Sequence, residues 1–433
     1  MKEKGCDLWI RNVTCLVTVA GGPSGPIASP SWDDLGMIEG GALAAREGRI
    51  VAVGPSEEVE KRVELLPSAT VLEGEGKLLL PGFVDPHTHF LFAGGREEEY
   101  ALRVEGVDYL EIRRRGGGIL RTVRDFRSAP DEVILEESRR RLDRIFSFGT
   151  TTIEGKSGYG LTTEQELRAL RLMGELGSSH PIGVVPSFLG AHEIPQEYKG
   201  RKESYVDLVV EEMIPRVGDS ARFCDVFCEE GVFSVEESRR ILEQGKKHGL
   251  LPKLHAEEFV PIGGGELAAE VGAVSADHLL VVTEEGCAAI AESGTVAVLL
   301  PGTAIGLAGK HFADVDRFRR HGVPIALGTD CNPGSSYAES MAAMISLSCS
   351  LEGLTVPEGI VAATRNAAAA VALSDRIGTL EPGKAADCIL LDAVHPASVP
   401  YRFATNLVEK VVKGGRMAWS SDQGFSRAGR NFA

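Results

Sequence analysis

The sequence predicts an α/β protein: a TIM-type (β/α)8 barrel with a small β-sandwich domain formed by the N- and C-terminal segments. Three observations carry that expectation. The chain has 433 residues, room for a barrel of ~250 residues and a second, smaller unit. Between residues 81 and 375, short β-branched runs alternate with amphipathic helical stretches, the pattern of βα units in a parallel sheet. The flanks, 1–80 and 376–433, instead hold short strands split by turns, so they are expected to be the two parts of the sandwich, with the catalytic barrel at 81–375 between them.

The N-terminal strand candidates are Leu8 to Ala20, Gly41 to Val53 and Val71 to Leu80. They are separated by the Gly-Gly-Pro-Ser-Gly-Pro run at 21–26 and by a hairpin-like turn around Arg46-Glu47-Gly48. The barrel strands are expected at Leu78 to His87, Thr150 to Glu154, Ile182 to Leu189, Phe223 to Cys228, Leu250 to His255, Ala273 to Asp277, Thr295 to Leu300 and Val323 to Leu327. The first connection is the longest, with helical stretches at Glu98 to Arg115 and Ala129 to Phe146 around a Gly116-Gly117-Gly118 break. At the C-terminal end, Cys388 to Asp392 and Leu407 to Lys413 read as strands.

Composition narrows the function. With 43% hydrophobic and 25% charged residues, and no run of ~20 apolar residues, the chain reads as soluble. A formal net charge of −16 argues against nucleic acid or an anionic membrane as partner, since both need a basic footprint. A small anionic substrate would instead need a local Arg or Lys. The first residues lack an apolar export signal, which makes the cytoplasm the expected compartment. Eight cysteines without paired spacings suit reduced thiols; Cys224 and Cys228 have no second Cys/His pair to complete a zinc ribbon.

Polar residues at strand ends identify the site, because a barrel of this kind works at the C-terminal ends of its strands. His87 and His89 end the first strand two residues apart, so both imidazoles face one point while Thr88 faces away. The other ends carry Lys156 and Tyr159, His192 and Glu193, His255 and Glu258, Asp277 and His278, and Asp330 and Asn332. His87, His89, His255 and Asp330 offer three imidazoles and a carboxylate, the mixed set of a catalytic Zn or Fe site with a place left for water. His180, His248, His311, His321 and His395 fall in helical or loop contexts and are expected to be structural.

His87-Thr88-His89 after Pro-Gly-Phe-Val-Asp, a late histidine, Gly328-Thr329-Asp330 and the Gly378 to Asp387 segment resemble the amidohydrolase superfamily. Within it, the segments Gly94 to Glu97, Gly116 to Ile119, Glu154 to Leu161, Phe188 to His192, Ala276 to Leu279 and Asp330 to Ser335 resemble the imidazolonepropionase family over nearly the whole chain. That resemblance implies hydrolysis of the ring amide of 4-imidazolone-5-propanoate to N-formimidoyl-L-glutamate in histidine degradation. It implies one Zn2+ or Fe2+/Fe3+ per subunit, a cytoplasmic homodimer, and His87, His89, His255 and Asp330 as metal ligands. It also implies substrate contacts from Arg96, Tyr159, His192, Glu258, Asn332, Gly334 and Ser335. The expected chemistry is attack of metal-activated water on the ring carbonyl, with His278 stabilising the oxyanion and Glu258 or Asp330 carrying the proton.

The chain departs from relatives at Cys331, at Ile305-Gly306-Leu307, where a more aromatic run is usual, and in the Gly-Pro-rich segment at 21–30, which resembles a local insertion. Cys331 is expected to pack rather than react. Three other readings stand beside the main one. A binuclear cyclic amidase would need a bridging lysine after strand 4, where Phe227-Cys228-Glu229-Glu230-Gly231 has none and Glu229 is the candidate bridge. A mononuclear aminohydrolase of a guanine-like heterocycle would share the ligands, and a non-catalytic scaffold would share the fold.

Overall fold

The computed structural model describes residues 3–107, 111–112, 116–307 and 311–425. Eight parallel strands form the barrel: β1 (Phe83–Asp85), β2 (Thr150–Lys156), β3 (Gly183–Ala191), β4 (Phe223–Cys228), β5 (Leu251–Ala256), β6 (Ser275–His278), β7 (Val296–Leu299) and β8 (Ile325–Leu327). Each pairs with the next in chain order. The ring closes just beyond the ends of β1 and β8, where Asp330 N–H donates to His87 O (3.0 Å) and His89 N–H to Cys331 O (3.0 Å). The seam of the barrel is therefore made by the segments that carry the expected metal ligands.

The run Leu78 to His87, expected as one barrel strand, is two strands in different sheets. Leu78–Pro81 lies in a nine-stranded terminal sheet, between Glu3–Val17 and Cys388–Leu391. After Gly82 the chain enters the barrel, with Phe83 N–H donating to Gly149 O. A side chain at Gly82 would strike Thr151, so the switch needs glycine here. The unbroken apolar character of the run follows from burial on both faces. Leu79, Cys388 and Leu390 pack with Leu8, Ile10 and Leu43 inside the small domain. Leu78, Leu80, Ile389 and Leu391, alternating with them, join the core shared with the barrel. The two chain ends thus pair through Leu80 and Ile389.

The Gly-Pro-rich segment is tied down by the helix Arg365–Ala370. Asn366 bonds both the N–H and the carbonyl of Ile27 (2.9 Å each), and Arg365 Nε donates to Gly25 O (2.7 Å). The first connection holds helices Glu97–Val104, Ile119–Ser128 and Asp131–Ser147. The helix expected from Glu98 to Arg115 leaves helical form at Glu105, and residues 108–110 and 113–115 of that stretch lie outside the described residues. Among the described residues no helix is long and apolar enough to cross a membrane.

Candidate active site

Side chains on the barrel strands alternate inward and outward, so residues two apart share the interior. In β2 these are Glu154 and Lys156, in β5 Lys253 and His255, in β6 Ser275 and Asp277, and at the end of β1 Asp85 and His87. The floor of the pocket is therefore a charged layer, fully buried. Lys156 Nζ lies 2.9 Å from Glu154, 2.6 Å from Asp225 and 3.2 Å from Asp277. Lys253 Nζ pairs with the other oxygen of Glu154 (2.5 Å) and reaches Pro86 O (3.0 Å).

Above this layer the histidines converge. Asp277 Oδ2 lies 2.7 Å from His87 Nδ1, and Asp225 Oδ1 3.2 Å from His255 Nδ1. Carboxylates on Nδ1 fix the tautomer and turn Nε2 inward. His87 Nε2 is buried and has no hydrogen-bond partner. Asp330 Oδ1 lies 3.5 Å from His87 Nε2 and 3.6 Å from His89 Nε2, and His255 Nε2 is 3.4 Å from His89 Nε2. Burial, then nearby Lys156 or neighbouring imidazoles, holds His87, His89 and His255 well below the usual histidine range. Asp277 does not reverse this, because Lys156 and Lys253 already balance its charge. Neutral imidazoles with inward lone pairs, beside a carboxylate, are the donor set a divalent cation takes.

Two groups among the described residues could hold a metal ion: His87, His89 and Asp330, and His87, His255 and His278, the ligand atoms of each lying within 4.8 Å of one another. The four expected ligands are thus gathered around His87, with His278 at the same centre. Both His278 (φ 77°) and Asp330 (φ 50°) have left-handed backbone, an unfavourable conformation for non-glycine residues that recurs where function fixes a side chain. Burial raises the Asp330 carboxyl to about 6, against Thr303 Oγ1, which donates to its Oδ2 (2.6 Å).

Every expected substrate-contacting residue lines the pocket: Arg96, Tyr159, His192, Glu258, Asn332, Gly334 and Ser335. His192 stacks on His89 with ring centroids 4.9 Å apart. Arg96 is held by Glu99 (2.9 Å from Nε), and its guanidinium lies where a side chain at Gly334 would stand. Asn332 shapes the rim as well as facing it. Its Oδ1 accepts from Gly334 N–H (2.7 Å) and Ser335 N–H (2.8 Å), and its Nδ2 donates to Asp330 O (2.6 Å). Leu307, from the run that departs from relatives, lines the pocket, as do Arg103, Ile119, Phe227 and Phe259, to which the sequence assigned no role.

Two carboxylates prove to be loop clamps. Glu229 accepts the N–H groups of Glu258, Phe259 and Val260, each at 3.0 Å, which leaves it committed to the loop after β5 rather than free to bridge a second metal. Glu166 does the same for the loop bearing Tyr159, through Gly158 (3.0 Å), Gly160 (2.8 Å) and Leu161 (2.7 Å). Cys331 is fully buried at the barrel seam, and burial lifts its thiol above the usual range. Cys224 and Cys228 are buried free thiols. His180 is buried against Asp143 (3.2 Å), while His321 pairs with Glu284 (2.7 Å) on the surface.

A closed parallel barrel, a terminal sheet and a cluster of imidazoles with a carboxylate at the strand ends define a class of metal-dependent hydrolase. The chain belongs to the amidohydrolase family, whose model matches residues 78–418. Its relatives place it more narrowly, in the imidazolonepropionase family. It is 50% identical to the imidazolonepropionase of Symbiobacterium thermophilum over 414 residues, covering 95% of this chain and 97% of that protein. The imidazolonepropionase of Geobacillus kaustophilus is 46% identical over 413 residues, with the same coverage. Among solved structures, E. coli guanine deaminase superposes with a TM-score of 0.73 at 17% identity, over 95% of this chain and 99% of that one. A zinc-bound adenosine deaminase from Xanthomonas campestris gives 0.70 at 19%, over 98% and 95%. At that identity the likeness is one of fold.

Proposed function

We propose that this chain hydrolyses 4-imidazolone-5-propanoate to N-formimidoyl-L-glutamate, as a cytoplasmic enzyme with one Zn2+ or iron ion held by His87, His89, His255 and Asp330. The observation that carries the reading is a buried guanidinium, Arg96, lining the same small pocket as the imidazole and carboxylate cluster. A planar guanidinium suits the propionate carboxylate, and the cluster suits the ring amide. An ion held there supplies Lewis acidity and a water acidified toward neutral pH.

The residues divide the remaining work by their protonation. Burial, with Asp330 and Glu229 nearby, raises the Glu258 carboxyl well above its usual range, which favours its protonated form and suits it to give a proton. Asp330, raised to about 6 by burial when no ion is bound, would be held ionised by the ion and accepts the proton of the attacking water. Burial lowers His278 to about 4, so it is a neutral imidazole able to donate a hydrogen bond to the carbonyl oxygen as charge develops. The water oxygen bonds to the carbonyl carbon, the ring C–N bond breaks, and the leaving nitrogen takes its proton from Glu258. Tyr159 and the stacked His89/His192 pair wall one side of the pocket.

The test is turnover of freshly generated 4-imidazolone-5-propanoate by metal-loaded protein, with His255→Ala as control. Loss of the substrate's ultraviolet absorbance with formation of formimidoylglutamate, abolished in the variant, is the expected result. Stoichiometric metal without turnover of this substrate would overturn the substrate assignment.

A further inference from the structure

The charged layer beneath the pocket contains one group that contacts both carboxylates behind the expected ligands. Lys156 is completely buried and does not line the pocket. Its ammonium lies 2.6 Å from Asp225 Oδ2 and 3.2 Å from Asp277 Oδ2. Those carboxylates lie against the Nδ1 atoms of His255 and His87, on strands from opposite parts of the barrel. Two carboxylates converging on one point in a low-dielectric interior repel each other unless a cation joins them. Lys253, the second buried ammonium, sits differently: it holds Glu154 and Pro86 O, and is 4.0 Å from Asp277.

We propose that Lys156 is a positioning residue of the metal centre, a single ammonium that holds Asp277 and Asp225 on Nδ1 of His87 and His255 and so turns both Nε2 atoms toward the ion. This rests on the reading of His87 and His255 as ligands. Lys156 touches neither ion nor substrate; it acts through two carboxylates on two ligands at once. Glu154, fixed by Lys253, Lys156 and Ser187 Oγ, keeps the ammonium from shifting.

The experiment compares Lys156→Met with Lys253→Met in the full chain. Each is stripped with a chelator, checked for folding by circular dichroism, and titrated with Zn2+ against a chromophoric competitor. Cobalt-substituted protein is read by its visible absorption. Lys156→Met is expected to lose ~10–100-fold in metal affinity, the usual effect of removing an outer partner of a ligand, and to change the cobalt spectrum. Lys253→Met is expected to lose less than ~3-fold, because it faces neither imidazole-bound oxygen closely. Unchanged affinity in folded Lys156→Met, or equal losses in the two variants, would overturn the proposal. If Lys156→Met does not fold, the isosteric Asp277→Asn and Asp225→Asn take its place: each must weaken metal binding, and wild-type affinity in both sinks the idea. His87→Ala separates the two layers of inference. Full metal content in that variant means that the ligand reading is wrong, whereas lost metal there with wild-type affinity in Lys156→Met rejects only the positioning role.

Discussion

On the floor of the pocket the charged groups meet their counterparts inside the barrel, whereas on the rim the polar groups are held by loops and helices outside it. Glu154, Lys156, Asp225, Lys253 and Asp277 have no exposure and lie on four of the eight strands, β2, β4, β5 and β6. Arg96 and Glu99 come from the first connection, and Asn332, Gly334 and Ser335 from the turn after β8. Phe259, which lines the pocket, is exposed. The difference teaches a division of labour: the strands set metal geometry rigidly, and the loops, which can vary without disturbing the barrel, set what enters.

The comparison is tested hardest at Glu154, which joins the two ammoniums. Replacing it with leucine leaves Lys156 and Lys253 facing each other with less compensation, and should cost ~3–5 kcal/mol in urea unfolding. A loss of under ~1 kcal/mol would show that the floor is not an interdependent unit. On the rim the expected cost moves from stability to binding. Arg96→Met should raise KM by ~10–100-fold, equivalent to ~1.5–3 kcal/mol for a charge-assisted contact, and should cost less in unfolding than the Glu154 change, because Glu99 keeps the N–H of Gly118 as a partner. Gly334→Ala should do nearly the same, because the added methyl occupies the space of the Arg96 guanidinium. If both variants kept their KM, the carboxylate of the substrate would have to bind elsewhere.

Metal uptake gives a pH test of the ligand cluster that sits between floor and rim. Protons compete with the ion at Asp330, whose carboxyl is raised to about 6, but hardly at His87, His89 and His255, which stay neutral well below the usual histidine range. For Asp330 the ionised form is the ligand, so uptake by chelator-stripped protein should be full above about 6 and weaken as pH falls through it. Retention of an unchanged affinity down to pH ~4.5 would remove Asp330 from the ligand set.

How much of this was legible in the sequence follows the same division. The strand ends announced themselves, since His87, His89, His255, His278 and Asp330 each terminate an apolar run. The floor was partly written too: Glu154 and Lys156, Lys253 and His255, and Ser275 and Asp277 are polar residues two apart along the barrel strands. Spacing along a strand shows that such residues share a face, but which charge meets which depends on barrel closure, and Lys156 is 69 residues from Asp225. The roles of Glu229 and Glu166 were hidden for another reason. A carboxylate that accepts backbone N–H groups leaves no mark in the residues it holds, because every residue but proline has that donor. Leu78 to His87 misled as one strand because both of its halves are buried on two faces, which erases the alternation that would have marked the sheet change at Gly82.

The smallest effect is expected at the seam between the two regions. Cys331 follows a ligand, and its position invites a nucleophilic reading, but the structure uses its backbone: the carbonyl accepts from His89 N–H and the N–H donates to Thr329 Oγ1 (3.2 Å). Its side chain has no exposure, and burial holds the thiol in its protonated form at neutral pH. A buried cysteine of this kind packs as a small hydrophobe. Cys331→Ala should therefore leave kcat within ~2-fold of wild type and cost ~1 kcal/mol or less of stability, as conservative changes in a packed core do. A thousandfold loss of kcat in folded, metal-loaded Cys331→Ala would mean that the thiol itself reacts. The proton path through Asp330 and Glu258 would then have to be redrawn.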